Sequence, residues 1–465
     1  MWVRLARVLR ALRRVALLLP LLLTAMALLL LPRPPPLAPS PRTPPAHPSP
    51  TPHKDDDNYL QRLQGLQVAL VTDSDDLSII NGGAEDLTRR PWFMQGGEYR
   101  PRQHDPNAKL FPEDAPGDDR VVQQLMYTLP LDQDVPVKKI LLANGYSAWG
   151  VAPGRTEFLR NKCPVDRCSL SADLRDATHA DAIIYKDHHT VLNIHRSPKQ
   201  IWILYYLECP YHTASLRPTS LDVFNWTSTY RRDSDIVAPY ERWLYYDPLV
   251  TGKDLDRNYA ANKTKKVAWF VSNCHARNRR LQYARQLSKY IQVDIYGACG
   301  SHHCPRADPN CLDMLDKEYK FYLAFENSNC RDYITEKFFV NGLQHNVLPI
   351  VMGARAAEYA AAAPHNSYIH VDEFASAEEL ATYLKRLDED DNLYNSYFKW
   401  KGTGEFINTY FFCRVCAMVH ANEQRKRRAH YSDVQAWWRD GTCTRAADWR
   451  GHDAKETSYP VQILN

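Results

Sequence analysis

No charge of one sign dominates this chain: 58 Lys and Arg face 54 Asp and Glu, a net charge of +4. That excludes a protein that holds nucleic acid through a bulk positive excess. Glycine is scarce, 18 of 465 residues, which excludes a collagen-like repeat. Pervasive apolar content is also missing. With 44% hydrophobic and 24% charged residues, the chain is no multi-span membrane protein, yet it is too apolar to be disordered throughout. What remains is an ordinary globular profile, long enough for two to three domains.

The amino end departs from that profile. Residues 1–14 hold five arginines (Arg4, Arg7, Arg10, Arg13, Arg14) and no acid. Val15 to Leu31 then runs 17 residues without a charge, at the short end of the about 20 that a membrane-spanning helix needs. Arginines before the run favour a cytoplasmic amino terminus, hence a single-pass type II anchor with the remaining chain lumenal. A cleaved signal peptide is the alternative, because Ala25-Met26-Ala27 has the small-x-small form of a cleavage site. Leu28 to Leu31 carry the apolar run past that site, which favours the anchor. Pro32 to His53 contain 11 prolines in 22 positions, an extended polyproline stem. The expected order is tail 1–14, anchor 15–31, and stem and neck 32–120.

No cysteine precedes position 163. The 11 that follow are read as disulfides with at least one left over. Cys413-Arg-Val-Cys416 reads as a local disulfide, with a zinc half-site completed by Cys299, Cys304, His302 and His303 as the alternative. Asn225-Trp-Thr and Asn262-Lys-Thr are glycosylation sequons.

From Val121 onward, short β-rich runs stand between turn signals: Val137–Leu142, Ala182–Tyr185, Val191–Ile194 and Ile201–Leu207. They define a first α/β unit over 121–255, ending at the polar stretch Thr251–Lys266. A cleaner alternation follows in 256–430. Strands are expected at Lys266–Val271, Val293–Tyr296, Tyr319–Phe325, Val347–Met352 and Tyr368–Val371. Helices are expected at Arg277–Tyr290, Ile334–Leu343, Ala354–Ala363 and Ala377–Leu387. Such alternation implies a parallel, doubly wound sheet that binds ligands at the carboxyl ends of its strands. A tail, 431–465, carries Trp437, Trp438 and Trp449, for which packing is the expected role.

Three places carry chemistry. Phe325-Glu-Asn-Ser-Asn-Cys-Arg-Asp-Tyr-Ile-Thr-Glu-Lys337 follows a strand and opens a helix, where anionic groups bind. There Lys337 suits a phosphate, Glu336 ribose hydroxyls and Tyr333 a stacked base or sugar; an ordinary helix start is the competing reading. Ser272-Asn273, followed by Arg277, Arg279 and Arg280, is a second basic strand-to-helix turn. Tyr206-Leu-Glu-Cys-Pro210 sets Glu208 at the end of a very apolar strand, where desolvation by Trp202, Tyr205, Tyr206 and Leu207 would raise its proton affinity and suit a general base. Asp233-Ser-Asp235 has the D-x-D form of some sugar-transferase metal sites, but the same form recurs elsewhere in the chain.

At these residues the chain resembles the α1,3-fucosyltransferases, glycosyltransferase family 10. Phe325–Lys337, Asn346–Gly353, Phe224–Ile236, Ser367–Phe374, Tyr397–Trp400 and Cys413–Cys416 carry the resemblance, over about residues 137–420. The wording of Tyr319–Thr409 is most similar to the core enzymes of invertebrates, which act on the innermost N-acetylglucosamine of N-glycans. The resemblance implies two Rossmann-like domains facing a cleft (GT-B type), GDP-fucose as donor, inversion at the anomeric carbon, and N-glycoprotein acceptors. By position, Glu208 would be the general base, with Cys209 where the family has Ser. Arg280 and Lys337 would neutralise the diphosphate and Glu336 would hold the ribose. Asn327 and Tyr333 would line the nucleotide site, with Tyr230 and Arg231 near the cleft. No metal is required for this step, stimulation by an ion such as Mn²⁺ being left open, and residence in the Golgi membrane follows. A Lewis-type acceptor, a protein acceptor and an inactive lumenal binding protein are the alternatives. Joint retention of Glu208, Arg280, Glu336 and Lys337 argues against the last.

Overall fold

The first half of the chain builds one sheet. α1 (Val121–Leu125) leads to β1 (Lys138–Leu142), α2 (Thr156–Arg160), β2 (Cys168–Ser171), β3 (Ala182–Lys186), β4 (Ile201–Tyr206) and β5 (Trp226–Thr229). The strands lie in the order β2-β1-β3-β4-β5, all parallel. Alternate residues feed two separate cores. Ile140, Leu142, Ile184, Ile203 and Tyr205 face one; Leu141, Ile183, Tyr185, Leu204 and Tyr206 face the other. A parallel strand covered on both faces reads as an unbroken apolar run, as β4 does. Val191–Ile194, expected as a strand, is instead an irregular loop with Val191 59% exposed. Leu192 and Ile194 press on the core from that loop, which gives strand-like spacing without a pairing partner.

The structure is a computed structural model describing residues 90–449 except 131–133, 306–307, 309 and 426–427, together with strand 462–464. The expected tail, anchor and most of the stem therefore lie outside the described residues. No helix among the described residues is long and apolar enough to cross a membrane.

After β6 (Arg242–Tyr245), the second sheet is assembled from β7 (Lys265–Phe270), α3 (Arg280–Leu287), β8 (Val293–Tyr296), α4 (Asn310–Lys317) and β9 (Tyr319–Phe325). β10 (Asn329–Cys330), α5 (Glu336–Phe338, continued as a π turn to Leu343), β11 (Leu348–Met352), α6 (Ala356–Ala362) and β12 (Ile369–His370) follow. Its order is β12-β11-β9-β7-β8, again all parallel. Both sheets thus run second, first, third, fourth, fifth, and each reverses direction of growth beside its first strand. In open α/β sheets that reversal opens a crevice at the strand carboxyl ends. α7 (Ala377–Glu389) covers this sheet through Leu380, Ala381, Leu384 and Leu387, and its Ser376 cap accepts from the Glu379 N–H at 3.2 Å.

The chain then recrosses. After α8 (Asp391–Ser396), β13 (Gly404–Ile407) pairs antiparallel with β6. α9 (Phe411–Ala421) packs with the first sheet rather than the second, burying Phe412, Val415, Met418 and Val419 in the core of Ile140 and Ile203. β14 (Arg428–His430), α10 (Val434–Arg439), β15 (Cys443–Thr444) and β16 (Gln462–Leu464) close the order, β14 pairing with β16 and β15 with β10. The neck is packed well before residue 120: Trp92, Phe93, Met94, Leu110 and Phe111 are buried in the same core as α9. The tail tryptophans pack, as expected: Trp437 and Trp438 bury against Tyr206 and Tyr230 on the opposite face of the first sheet, while Trp449 donates to the Gly353 carbonyl at 2.8 Å.

Candidate active site

Glu208 stands just past the end of β4, its side chain 46% exposed. Four groups converge on its Oε1. The Cys209 N–H donates at 2.9 Å, the Tyr333 hydroxyl at 2.7 Å and the Asn327 amide at 3.3 Å, with His212 Nδ1 at 3.5 Å. Tyr333 and Asn327 come from the loop after β9, so the carboxyl ends of the two sheets meet at this carboxylate. Partial burial pushes its proton affinity up, but the three donors and the imidazole together outweigh that, and the net direction is down. The expectation of a raised value is corrected. Apolar neighbours desolvate the group as expected, yet the adjacent Cys209 N–H, with Tyr333 and Asn327 from another element, holds the ionised form.

The second sheet's crevice lies between β7 and β9. Glu326, directly after β9, is fully buried; the Thr335 N–H and hydroxyl donate to it, and Lys337 Nζ stands 3.3 Å away. Burial raises its proton affinity and Lys337 only partly offsets this. Lys337 Nζ also donates to Thr335 Oγ1 at 2.9 Å and to exposed Glu336 at 3.0 Å. Desolvation opposes the lysine's charge, but the two glutamates prevail and hold its proton affinity above normal. Gly353 at the end of β11 must be glycine, since a Cβ there would come within 2.6 Å of Glu326 Cγ. Arg280 reaches the same crevice, but its fork is turned onto the Phe325 and Asn273 carbonyls at 2.7 and 3.2 Å. Exposed Arg277 lies over the Tyr211 ring at 4.7 Å, spanning from this loop to the first half of the chain.

Of the anticipated residues, the structure gathers Glu208, Asn327 and Tyr333 directly, and sets Lys337 and Glu336 on the adjoining helix start. Tyr230 is buried with its ring 5.0 Å from that of Tyr333, so it backs the site rather than lining it. Arg231 does not join them. Its buried guanidinium is held by Asp233 at 2.6 and 2.9 Å, by the Trp437 carbonyl and by Thr442 Oγ1. Asp233-Ser-Asp235 is likewise committed. Asp233 pairs with Arg231 and Arg331, and Asp235 is buried beneath Tyr431, where desolvation lifts its carboxyl to about 7. Its spacing carries no metal site.

Cys413 and Cys416 are disulfide-bonded, but not to each other: the pairs are Cys163–Cys413 and Cys168–Cys416. Three residues apart on one helix, both sulfurs face the first half of the chain, meeting Cys163 in the loop before β2 and Cys168 at the start of β2. Cys274–Cys299, Cys304–Cys311 and Cys330–Cys443 complete the set, which removes the zinc alternative and leaves Cys209 free. The Asn225 side chain is half-buried and engaged. Its side chain accepts from the Trp202 N–H and Arg196 and donates to the Ala429 carbonyl, while Thr227 is fully buried. Asn262 and Thr264 are exposed.

Residues 136–241 match the family model described as fucosyltransferase, N-terminal, and residues 260–437 match glycosyltransferase family 10 (fucosyltransferase), C-terminal. Glycoprotein 3-alpha-L-fucosyltransferase A of Drosophila melanogaster is 54% identical over 392 residues, covering 80% of this chain and 77% of its own. Alpha-(1,3)-fucosyltransferase C of the same organism is 36% identical over 300 residues, covering 59% and 70%. A crystal structure of an α1,3-fucosyltransferase with GDP-fucose is 18% identical, with a TM-score of 0.43 over 66% of this chain and 97% of that one.

Proposed function

From the premise that this chain belongs to the fucosyltransferases of glycosyltransferase family 10, we propose that it moves L-fucose from GDP-β-L-fucose, with inversion, onto O3 of the innermost N-acetylglucosamine of N-glycans. The core-glycan acceptor rests on the 54% identity to a glycoprotein 3-alpha-L-fucosyltransferase and on the resemblance carried by Tyr319–Thr409. The GT-B description rests on two parallel sheets of identical strand order whose carboxyl ends meet at Glu208.

The ionised, half-exposed Glu208 carboxylate carries the mechanistic reading. A general base must stand deprotonated and reach its substrate, and the contacts on Oε1 keep this group charged while leaving it open to the cleft. In the proposed reaction Glu208 takes the proton of the acceptor 3-hydroxyl as that oxygen attacks the fucose carbon from the face opposite GDP. The C–O bond to the diphosphate breaks and its electron pair leaves with GDP. Lys337 offsets the charge that develops there, with Arg277 on the facing loop and the buried Arg280 behind it adding positive field, and Glu336 holds the ribose. Asn327 and Tyr333 fix the carboxylate's orientation. Five disulfides support an oxidising compartment, consistent with a Golgi-lumenal catalytic part held by the anchor proposed at 15–31.

Glu208→Gln tests this mechanism. Transfer to a GlcNAc-terminated N-glycopeptide should fall by at least about 10²-fold while GDP binding persists. Turnover retained at the parent rate would remove Glu208 from the role.

A further inference from the structure

We propose that Glu208, Cys209 and His212 form a binding site for a thiophilic divalent cation, zinc above all, and that filling it withdraws Glu208 from proton transfer. Ten of the 11 cysteines are tied in disulfides, and the remaining thiol sits beside the carboxylate that the reaction uses. Cys209 Sγ lies 3.3 Å from His212 Nδ1, that nitrogen lies 3.5 Å from Glu208 Oε1, and all three atoms fall within 4.8 Å of one another. A tetrahedral zinc with bonds of about 2.0–2.3 Å holds its ligand atoms about 3.4–3.6 Å apart, so these atoms already stand at near-coordinating separations.

The backbone explains the juxtaposition. The chain turns sharply after Pro210, with the His212 and Thr213 N–H groups donating to the Cys209 carbonyl at 2.9 and 3.1 Å, which brings positions 208, 209 and 212 to one side. Cys209 is fully buried whereas Glu208 and His212 are exposed, so an ion entering from the cleft would meet sulfur at the floor and keep a position for water. Ser328 Oγ at 3.2 Å and Asn327 Oδ1 at 3.8 Å flank the sulfur and hold its direction. One sulfur, one imidazole nitrogen and one carboxylate oxygen suit zinc, not the all-oxygen preference of magnesium or manganese. On binding, the Sγ–H bond gives its proton to solvent as the Sγ–metal bond forms. His212 offers the neutral Nδ1 lone pair, and nothing is oxidised. A cation bonded to the carboxylate blocks its acceptance of the acceptor's proton. That last consequence rests on the reading of Glu208 as base; the site itself does not.

The test uses the full chain with its disulfides intact, titrated with Co²⁺ and then Zn²⁺. We expect a thiolate-to-cobalt charge-transfer band that zinc displaces, which only Cys209 can supply. The band should vanish in Cys209→Ser. Removing a residue that merely orients a ligand costs roughly 10–100-fold in affinity, so His212→Ala should weaken Zn²⁺ binding by at least about tenfold. Zn²⁺ should suppress fucose transfer in the parent, and at the same concentration spare Cys209→Ser relative to that variant's own metal-free rate. No charge-transfer band in the parent, or an equal band in Cys209→Ser, overturns the site. A band accompanied by undiminished transfer upholds the site and instead contradicts Glu208 as the base.

Discussion

At the scale of single residues, a carboxylate at the end of an unbroken apolar run was the readable signal for Glu208. The same criterion picks Glu326 after β9, the buried partner of Lys337. The direction of the Glu208 shift was not readable. After desolvation its causes are the adjacent Cys209 N–H, then donors from Tyr333 and Asn327, more than a hundred residues away in sequence, and nearby His212. Motif position points to Arg231 and Arg280, and no pattern announces that their donors are taken by the Trp437, Phe325 and Asn273 carbonyls. One pH consequence follows. A base acts deprotonated, and a depressed value keeps it so as pH falls. The acid limb of kcat/KM should therefore lie below the ordinary glutamate value of 4.5. A pH–rate profile with its acid limb near 6 would contradict the hydrogen-bonded carboxylate.

At the scale of elements, long buried strands and the amphipathic helix α7 were legible, because their burial repeats within one segment. Tyr319–Phe325, seven residues and all buried, begins and ends where the pattern sets it. β2, β5 and the β6–β13 pair escaped. Each is only four residues long, and the β6–β13 pairing spans about 160 residues of chain. α9 escaped for a different reason: its residues are apolar nearly all round, so no face announces which sheet it covers. Its two disulfides anchor it to the first sheet across sequence separations of 250 and 248 residues. Non-reducing peptide mapping should join Cys413 to Cys163 and Cys416 to Cys168. Replacing the Cys163–Cys413 pair with serines should cost about 2–4 kcal/mol in denaturant unfolding. A Cys413–Cys416 bridge in the parent would refute this placement of the helix.

At the scale of the whole molecule, near-neutral charge is the sum of unlike parts. The first 14 residues hold five positive charges, so residues 15–465 sum to +4 − 5 = −1. The cations at the second sheet's crevice are therefore placed residues, not a bulk excess. The second sheet is legible from strand–helix alternation, and the first from short β-rich runs between turn signals. The returns of 91–127 and 411–438 onto the first sheet are not, because they are tertiary packings of segments with no periodic signature. The same packing separates the two sequons: glycopeptide analysis of the secreted or membrane form should find sugar on Asn262 and none on Asn225. A glycan on Asn225 would mean that Thr227 and its neighbours are not buried as described. The central claim is tested most directly by incubating the full chain with GDP-fucose and a GlcNAc-terminated N-glycopeptide and sequencing the product by mass spectrometry. The account predicts one fucose, α1,3-linked to the GlcNAc attached to asparagine. Fucose confined to an outer-arm N-acetyllactosamine, or no fucosylated product from folded protein, would contradict it.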